Sequence, residues 1–133
     1  MVVLDTSVIV KWFVEEEGPK RALIWMKKHI EGTEVILVPS LFFYEVTNVL
    51  RYNKSLPTTE ILKIVKNLME INLRVAEINS ELIKRSVVLA REKDISVYDG
   101  AFIALADMYE TPFYTADKAL YKKTKDLGFV NLL

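Results

Sequence analysis

The sequence has four acidic side chains near expected strand-to-helix junctions: Asp5, Asp117 and the region before Asp99 fall at such junctions, and Glu45 lies just inside a helix that follows a strand. The strands of an open parallel sheet end at one edge, where the sites of α/β proteins lie, so we expect these carboxylates to meet there. The chain has no cysteine and a single histidine, so the ligands offered are carboxylate oxygens. Such ligands suit a hard cation such as Mg²⁺ or Mn²⁺. Such an ion polarises a phosphate oxygen and activates a water for in-line attack. The set therefore predicts phosphodiester hydrolysis.

Each acid also has a purely structural interpretation. Asp5 can cap the helical segment that begins at Thr6, and Asp117 can cap the helix that follows it. Asp99 stands three residues after Ser96, which resembles a capping box. Glu45 can be an ordinary exposed glutamate at the border of an amphipathic helix. These interpretations and the metal site remain open alternatives at this point.

The elements that would position the acids alternate along the chain. Short strands are predicted over residues 1–4, 34–38, 73–78, 113–115 and 129–133, and helices over 6–14, 20–30, 41–53, 58–71, 80–93, 97–106 and 118–127. A turn is predicted at 15–19, and Ser40 and Ser80 are predicted helix caps. This alternation predicts an α/β fold, a single three-layer α/β/α domain over 1–133 with a central, mainly parallel sheet.

Helical spacing predicts which side chains face the core. The 101–106 segment is apolar all round, so its helix should be buried. The expected core positions on three other helices are Phe42, Phe43, Val46, Val49 and Leu50; Ile61, Leu62, Val65, Leu68 and Met69; and Leu82, Ile83, Val87, Leu89 and Ala90.

The composition is that of a folded domain without a strong charge bias. The chain has 133 residues, 51% of them hydrophobic, and its 18 basic residues balance 18 acidic ones. Broad, non-specific nucleic-acid binding is therefore not predicted, although local basic patches remain possible. No uninterrupted apolar stretch is long enough for a transmembrane helix, and the N-terminus lacks the basic region of a signal peptide. We expect a cytoplasmic protein with no membrane partner.

Four segments in order resemble the PIN-domain family of nucleases, and within it the VapC-type ribonuclease toxins. They are Leu4-Asp5-Thr6-Ser7-Val8, Tyr44-Glu45-Val46-Thr47-Asn48-Val49-Leu50-Arg51, Tyr98-Asp99-Gly100-Ala101-Phe102-Ile103-Ala104-Leu105-Ala106 and Tyr114-Thr115-Ala116-Asp117-Lys118-Ala119-Leu120. No single motif is specific, but the four in this order and at this spacing are, and the resemblance covers essentially the whole chain. The resemblance implies a PIN-like fold and a metal-dependent endoribonuclease that cleaves RNA.

The resemblance also implies roles for individual residues. The matching acids Asp5, Glu45, Asp99 and Asp117 would bind Mg²⁺ or Mn²⁺, and Ser7 and Thr115 match hydroxyl residues that support the acids. Homodimers, and a VapB-like antitoxin whose tail enters the site, are implied too. Gly100 stands where alanine or a similar residue is usual, and we expect it to loosen the helix start.

Other polar and aromatic residues were considered for binding. Candidates for RNA phosphate contacts are Arg51, Lys54, Lys118 and Lys122, of which we expect Arg51 and Lys118 to bind. A solvated helix face explains these basic residues equally well. The aromatic run Phe42-Phe43-Tyr44 is expected in the core and a dimer interface. His29 is expected to serve packing or to lie at the surface.

Rival functions share single features with this sequence. A haloacid-dehalogenase-like phosphatase needs a second aspartate two residues after the first, where this chain has Ser7. A receiver-type signalling domain needs an acid pair after the first strand, where only Asp5 is present. A catalytically silent PIN-fold module that binds RNA or a partner, and an RNA-processing nuclease that is not a toxin, remain alternatives.

Overall fold

The computed structural model describes residues 1–14 and 20–133, and its centre is a five-stranded sheet in which every pair is parallel. The predicted turn at 15–19 lies outside the described residues. The strands, in the spatial order β3-β2-β1-β4-β5, are β1 (Val2–Leu4), β2 (Ile36–Pro39), β3 (Arg74–Ala76), β4 (Phe113–Thr115) and β5 (Val130–Leu132).

Helices flank this sheet, which confirms the predicted α/β/α class. They are α1 (Thr6–Ile9), continued by a 3₁₀ turn at Val10–Trp12, α2 (Arg21–Ile30), α3 (Phe42–Arg51), α4 (Thr58–Glu70), α5 (Ser80–Lys93), α6 (Val97–Met108) and α7 (Lys118–Thr124), followed by a 3₁₀ turn at Lys125–Leu127. In the described parts of the chain, no helix is both long and apolar enough to cross a membrane.

The strand order places a reversal of winding at the middle of the sheet. From β1 the chain moves outward to β2 and β3, then crosses back to β4 on the other side of β1 and continues to β5. A crevice forms between two strands whose connections leave in opposite directions, and ligands of open α/β sheets bind there, at the carboxyl ends. The switch point of this protein lies between the ends of β1 and β4.

The core forms around β1, β2 and the central helix α6. All three residues of β1 are buried, as are the residues of α6 from Gly100 to Ala106, which confirms the prediction of a fully buried helix. His29 has a packing role, because its Nδ1 accepts the Ile36 N–H (3.1 Å). Its Nε2 must then carry the proton and faces the Asn72 carbonyl (3.3 Å).

Two predicted caps were wrong. Ser40 does not cap α3; its backbone N–H bonds to the Ala76 carbonyl (3.0 Å) and so continues the pairing of β2 with β3. Ser80 is the first residue of α5, and the cap is Asn79, whose Oδ1 accepts the Leu82 N–H (2.9 Å). Both errors are one residue in position: α3 begins after Leu41 without a side-chain cap, and at α5 two adjacent polar residues could each serve as the cap.

Some side chains predicted to face the core are exposed. Val49 on α3 is 46% exposed, and Leu62 and Met69 on α4 are about 60% exposed, because Ile64 and Leu68 form the buried face of that helix. On α5, Ile83 and Val87 are exposed, whereas Leu82 and Ser86 are buried. The hydroxyl of Ser86 donates to the Leu82 carbonyl (2.6 Å), so a polar residue occupies the inner face without an unsatisfied group.

Gly100 explains why α5 turns Ser86 inward. A Cβ built on Gly100 would lie 2.6 Å from the carbonyl oxygen of Ser86, a distance at which the backbone of one helix must move. Gly100 therefore permits close packing of α5 on α6, a role that the sequence alone did not indicate.

We predict that Gly100→Ala destabilises the protein by about 1–2 kcal/mol, because the clash costs about 1–3 kcal/mol and outweighs the better helix propensity of alanine. Gly100→Val should cost more, since its side chain is larger. Urea unfolding of the three proteins measures both differences. An alanine variant as stable as the wild type would contradict the packing argument.

Candidate active site

The predicted site residues gather at the switch point. Asp5 follows the last residue of β1, and Thr115 is the last residue of β4. Leu4 pairs with Tyr114, and the Asp5 N–H donates to the Tyr114 carbonyl (3.2 Å), so the two strand ends lie side by side. This register brings Thr115 beside Asp5.

The Asp5 carboxylate is buried, with 5% of the residue exposed, and three donors hold it. Its Oδ1 accepts hydrogen bonds from the Ser7 hydroxyl (2.5 Å) and the Val8 N–H (3.2 Å), and its Oδ2 accepts one from the Thr115 hydroxyl. The bond from Val8 caps α1, so the structural interpretation of Asp5 is correct as well. Capping and a site role are compatible in one carboxylate.

Backbone groups fix the direction of the two supporting hydroxyls. Ser7 Oγ accepts the Ala116 N–H (2.8 Å), and Thr115 Oγ1 accepts the Asp117 N–H (3.0 Å). Because an ionised carboxylate can only accept, each hydroxyl donates its proton to Asp5 while its oxygen accepts a backbone N–H. The loops after β1 and β4 are thereby tied together around one carboxylate.

Glu45 reaches the same place from α3. Its carboxylate is half-buried, and Oε2 accepts a hydrogen bond from the Thr6 hydroxyl (3.0 Å), across 39 positions in sequence. Sequence reasoning did not single out Thr6, although its position between Asp5 and Ser7 was a signal. Thr6 thus orients Glu45, as Ser7 and Thr115 orient Asp5.

Asp99 and Asp117 complete the set. The expected strand-to-helix junction before Asp99 was wrong, because α5 ends at Lys93 and α6 begins at Val97, so Asp99 follows a turn between two helices. The Ser96 hydroxyl caps α6 by accepting the Asp99 N–H (3.0 Å), so the cap is Ser96 and the Asp99 carboxylate is not needed for it. Asp117 does cap α7, since its Oδ1 accepts the N–H groups of Ala119 (2.8 Å) and Leu120 (3.0 Å). Both bonds use only one of the two Asp117 oxygens.

The four acids line one open cleft of about 430 Å³. The walls also contain residues that the sequence did not single out for chemistry, among them Lys11, Asn48 and Val49. The predicted phosphate-binding residues are not part of this lining: Arg51, Lys54, Lys118 and Lys122 are exposed outside it. Arg51 lies over the ring of Tyr52, 4.5 Å from its centroid.

Burial and the repulsion between neighbouring charges raise the pKa of three of these carboxyl groups, Asp5, Glu45 and Asp99. Burial raises the pKa of Asp5 to about 6, in spite of its three hydrogen bonds, and the negative charge of Asp99 adds to the rise. Burial also raises the pKa of Glu45, and the charges of Asp99 and Asp5 add to it. For Asp99, burial is the larger cause of the raised pKa, and the negative charge of Asp117 is the smaller one. A cation in the cleft would relieve these costs.

The donor chemistry of the cleft fits a hydrated Mg²⁺ or Mn²⁺ ion. In residues 1–14 and 20–133, no group of three or more acidic or histidine side chains is arranged to hold a metal ion by itself. Mg²⁺ usually keeps several waters and binds through only one or two carboxylates, so four acids around an open cleft suit it without direct contact from all of them. We regard the residues as fitting such an ion.

A doubly wound parallel sheet with carboxylates above its switch point defines a class of α/β protein with a site at the carboxyl ends of its strands. A sequence model of the PIN domain matches residues 2–126, so the chain belongs to the PIN-domain family. This family assignment separates the chain from the phosphatase and receiver alternatives. No curated protein matches the chain by sequence.

Solved structures with the same fold share little sequence with this chain. A toxin–antitoxin complex from Klebsiella pneumoniae is 16% identical, with 98% of this chain and 96% of that chain covered and a TM-score of 0.70. PAE2754 from Pyrobaculum aerophilum is 20% identical, with 97% and 81% covered and a TM-score of 0.70. FitAcB from Neisseria gonorrhoeae is 14% identical, with 100% and 96% covered and a TM-score of 0.69. At these identities the likeness shows the fold.

We predict that, in the metal-free protein, the stability of Asp5→Asn relative to the wild type rises by about 1–3 kcal/mol between about pH 4 and about pH 7.5. The folded Asp5 carboxyl, with a pKa of about 6, holds its proton more tightly than the unfolded one, with a pKa of 3.8. This group therefore contributes stability below about pH 4 and loses that contribution as the pH rises to about 6. Asparagine removes the ionisation and its cost.

Urea unfolding of both proteins in chelator, from about pH 4 to about pH 7.5, measures the effect. The advantage of Asp5→Asn should grow with pH across this range. A constant difference between the two proteins would show that the ionisation of Asp5 carries no cost.

Proposed function

We propose that this protein is a divalent-metal-dependent endoribonuclease and the VapC-type toxin of a toxin–antitoxin pair. The observation that carries the proposal is the convergence of Asp5, Glu45, Asp99 and Asp117, from four separate junctions of the fold, on one cleft at the switch point. Members of the PIN-domain family are generally nucleases, which supports a hydrolytic role for these acids.

The four acids would hold Mg²⁺ or Mn²⁺, which supplies polarisation of a phosphate oxygen and a water of lowered pKa. The protein's own groups prepare the site before substrate arrives. Ser7 and Thr115 hold Asp5 in one orientation, and Thr6 holds Glu45. With a pKa of about 6, Asp5 is mainly ionised near neutral pH and is available to a cation. Such preorganisation reduces the reorganisation needed during the reaction.

The proposed partners follow from the neighbours in fold. One neighbour is a toxin–antitoxin complex, and FitAB, 15% identical with a TM-score of 0.70, is bound to an IR36 DNA fragment. We therefore propose a VapB-like antitoxin as the inhibitor of this chain, whose tail would occupy the acidic cleft. RNA as the substrate, a homodimeric state and a cytoplasmic location complete the proposal.

A PIN-fold module that binds nucleic acid without cutting it is the second candidate. It has the same fold and the same acidic cleft as the first candidate, and differs from it in holding no catalytic ion there. Cleavage and metal binding separate the two candidates.

We predict that the purified protein cleaves a pool of structured RNAs in Mn²⁺ or Mg²⁺ and not in chelator. Asp99→Asn should lower the rate at least about 100-fold, because it removes one charge from the metal-binding set while nearly keeping the shape. Asp107→Asn is the matched control: it lies on the same helix, about 12 Å further along, and pairs with Arg85 at the surface. Equal cleavage by wild type and Asp99→Asn would contradict a catalytic role for Asp99.

Metal binding can be measured without any substrate. We predict that saturating Mn²⁺ raises the melting temperature of the wild type by several degrees, since an ion that binds only the folded state stabilises it by about 3 kcal/mol at a hundredfold excess over its dissociation constant. The rise should be much smaller for Asp99→Asn and unchanged for Asp107→Asn. An equal rise in all three proteins would place the ion elsewhere.

A further inference from the structure

Helix α3 presents an exposed ridge beside the acidic cleft. Tyr44, Asn48 and Tyr52 are spaced four residues apart, so they lie in one row along the helix surface, about 12 Å from first to last. Tyr44 is 83% exposed, the most of any large hydrophobic residue in the described parts of the chain, and Tyr52 is 68% exposed. Phe42 of the aromatic run is buried but Tyr44 is not, so the expected core position was wrong for Tyr44, and its ring is exposed to a second copy of the chain or to a ligand.

The ridge is continuous with the site. Asn48 and Val49 form part of the cleft wall, and Tyr44 directly precedes Glu45. The side-chain amide of Asn48 makes no hydrogen bond to the described part of the chain, so it is available to a ligand. A strand that leaves the acidic cleft along α3 would therefore pass over two tyrosine rings and one amide.

The charges along the ridge suit a polyanion. Glu45 stands at its start, within the cleft, whereas Arg51 and Lys54 stand at its far end. The Arg51 guanidinium lies over the Tyr52 ring, 4.5 Å from the centroid, so a flat cationic surface and an aromatic surface are presented together. Groups that bind single-stranded nucleic acid combine such rings, on which bases stack, with cations that contact the backbone.

We propose that the α3 ridge, consisting of Tyr44, Asn48, Arg51 and Tyr52, is a binding track on which bases of a single-stranded nucleic acid stack. The tyrosine rings provide stacking surfaces, Asn48 contacts a base edge or sugar, and Arg51 contacts a phosphate. The choice of ligand rests on the nuclease function proposed above, and the track itself is a separate claim about binding.

Binding of a fluorescently labelled, mixed-sequence single-stranded RNA tests the track, with every variant made in an Asp99→Asn background so that cleavage does not interfere. Tyr44→Ala and Tyr52→Ala should each weaken binding roughly 5- to 150-fold, the usual effect of losing one stacked base. Tyr44→Phe and Tyr52→Phe should bind within about twofold of the background, because stacking needs the ring and not the hydroxyl.

The chain offers a matched control in Tyr109. This tyrosine is also exposed (44%) and also has an arginine, Arg74, over its ring, at 5.7 Å. It follows the last residue of α6, whereas Asp99 is in the first turn of that helix, so it stands at the opposite end of the molecule from the cleft. Tyr109→Ala should leave the affinity for RNA unchanged.

Salt dependence separates stacking from charge. Arg51→Gln should reduce the slope of log affinity against log salt by about 0.7, the value for one phosphate contact to a single strand, and the Tyr→Ala variants should leave that slope unchanged. Unchanged affinity in both Tyr→Ala variants would overturn the proposal, and a lowered sedimentation mass in the same variants would then assign the ridge to a contact between copies of the chain. A loss in the Phe variants as large as in the Ala variants would also overturn it.

The nuclease function and the track can fail separately. Metal-dependent cleavage together with unaltered binding in the Tyr→Ala variants would contradict the binding track and leave the nuclease function supported. Tyrosine-dependent binding by a protein that cleaves no RNA would support the track and contradict the nuclease.

Discussion

The buried carboxylate of Asp5 is the constraint that the surrounding structure must satisfy. A charge removed from water is costly unless hydrogen bonds compensate for it, and here three donors meet the two oxygens. One donor, Thr115, is supplied by β4, so the contact exists only in the observed register, in which Leu4 pairs with Tyr114. A slip of one residue would turn Thr115 to the other face of the sheet. The position of the site therefore depends on the pairing of the two central strands.

The sequence allowed the acids to be placed because each stands at a junction, and junctions follow from local patterns. The buried helix α6 was equally predictable, since no polar face interrupts 101–106. The inner face of α5 was not predictable, because it depends on the backbone contact between Gly100 and Ser86, which belong to two different helices. The bond from Thr6 to Glu45 likewise joins residues 39 positions apart. Such contacts depend on how elements pack, which periodicity within one element does not contain.

The same residues serve the fold and the site, and this limits how stable the site can be. Asp5 and Asp117 cap helices with one oxygen each while their carboxylates face the cleft. Capping stabilises the ionised form, but burial and the neighbouring charges act against it, and for Asp5 burial prevails and raises the pKa to about 6. A cleft that is unfavourable without a cation is one in which a cation binds with a large electrostatic gain. The burial and charge repulsion that lower the stability of the metal-free fold are therefore the same effects that would raise its affinity for a metal ion.

A chain with 18 basic and 18 acidic residues cannot hold a polyanion by overall charge, and its acidic cleft repels one. Binding must then come from two local sources. A divalent ion in the cleft would reverse the sign of the charge that faces the scissile phosphate. Outside the cleft, neutral rings on α3 would contribute affinity that salt screens little, since stacking does not depend on counterion release. Placing stacking groups on α3, apart from the carboxylates of the cleft, would let a protein of zero net charge bring RNA to a cluster of carboxylates.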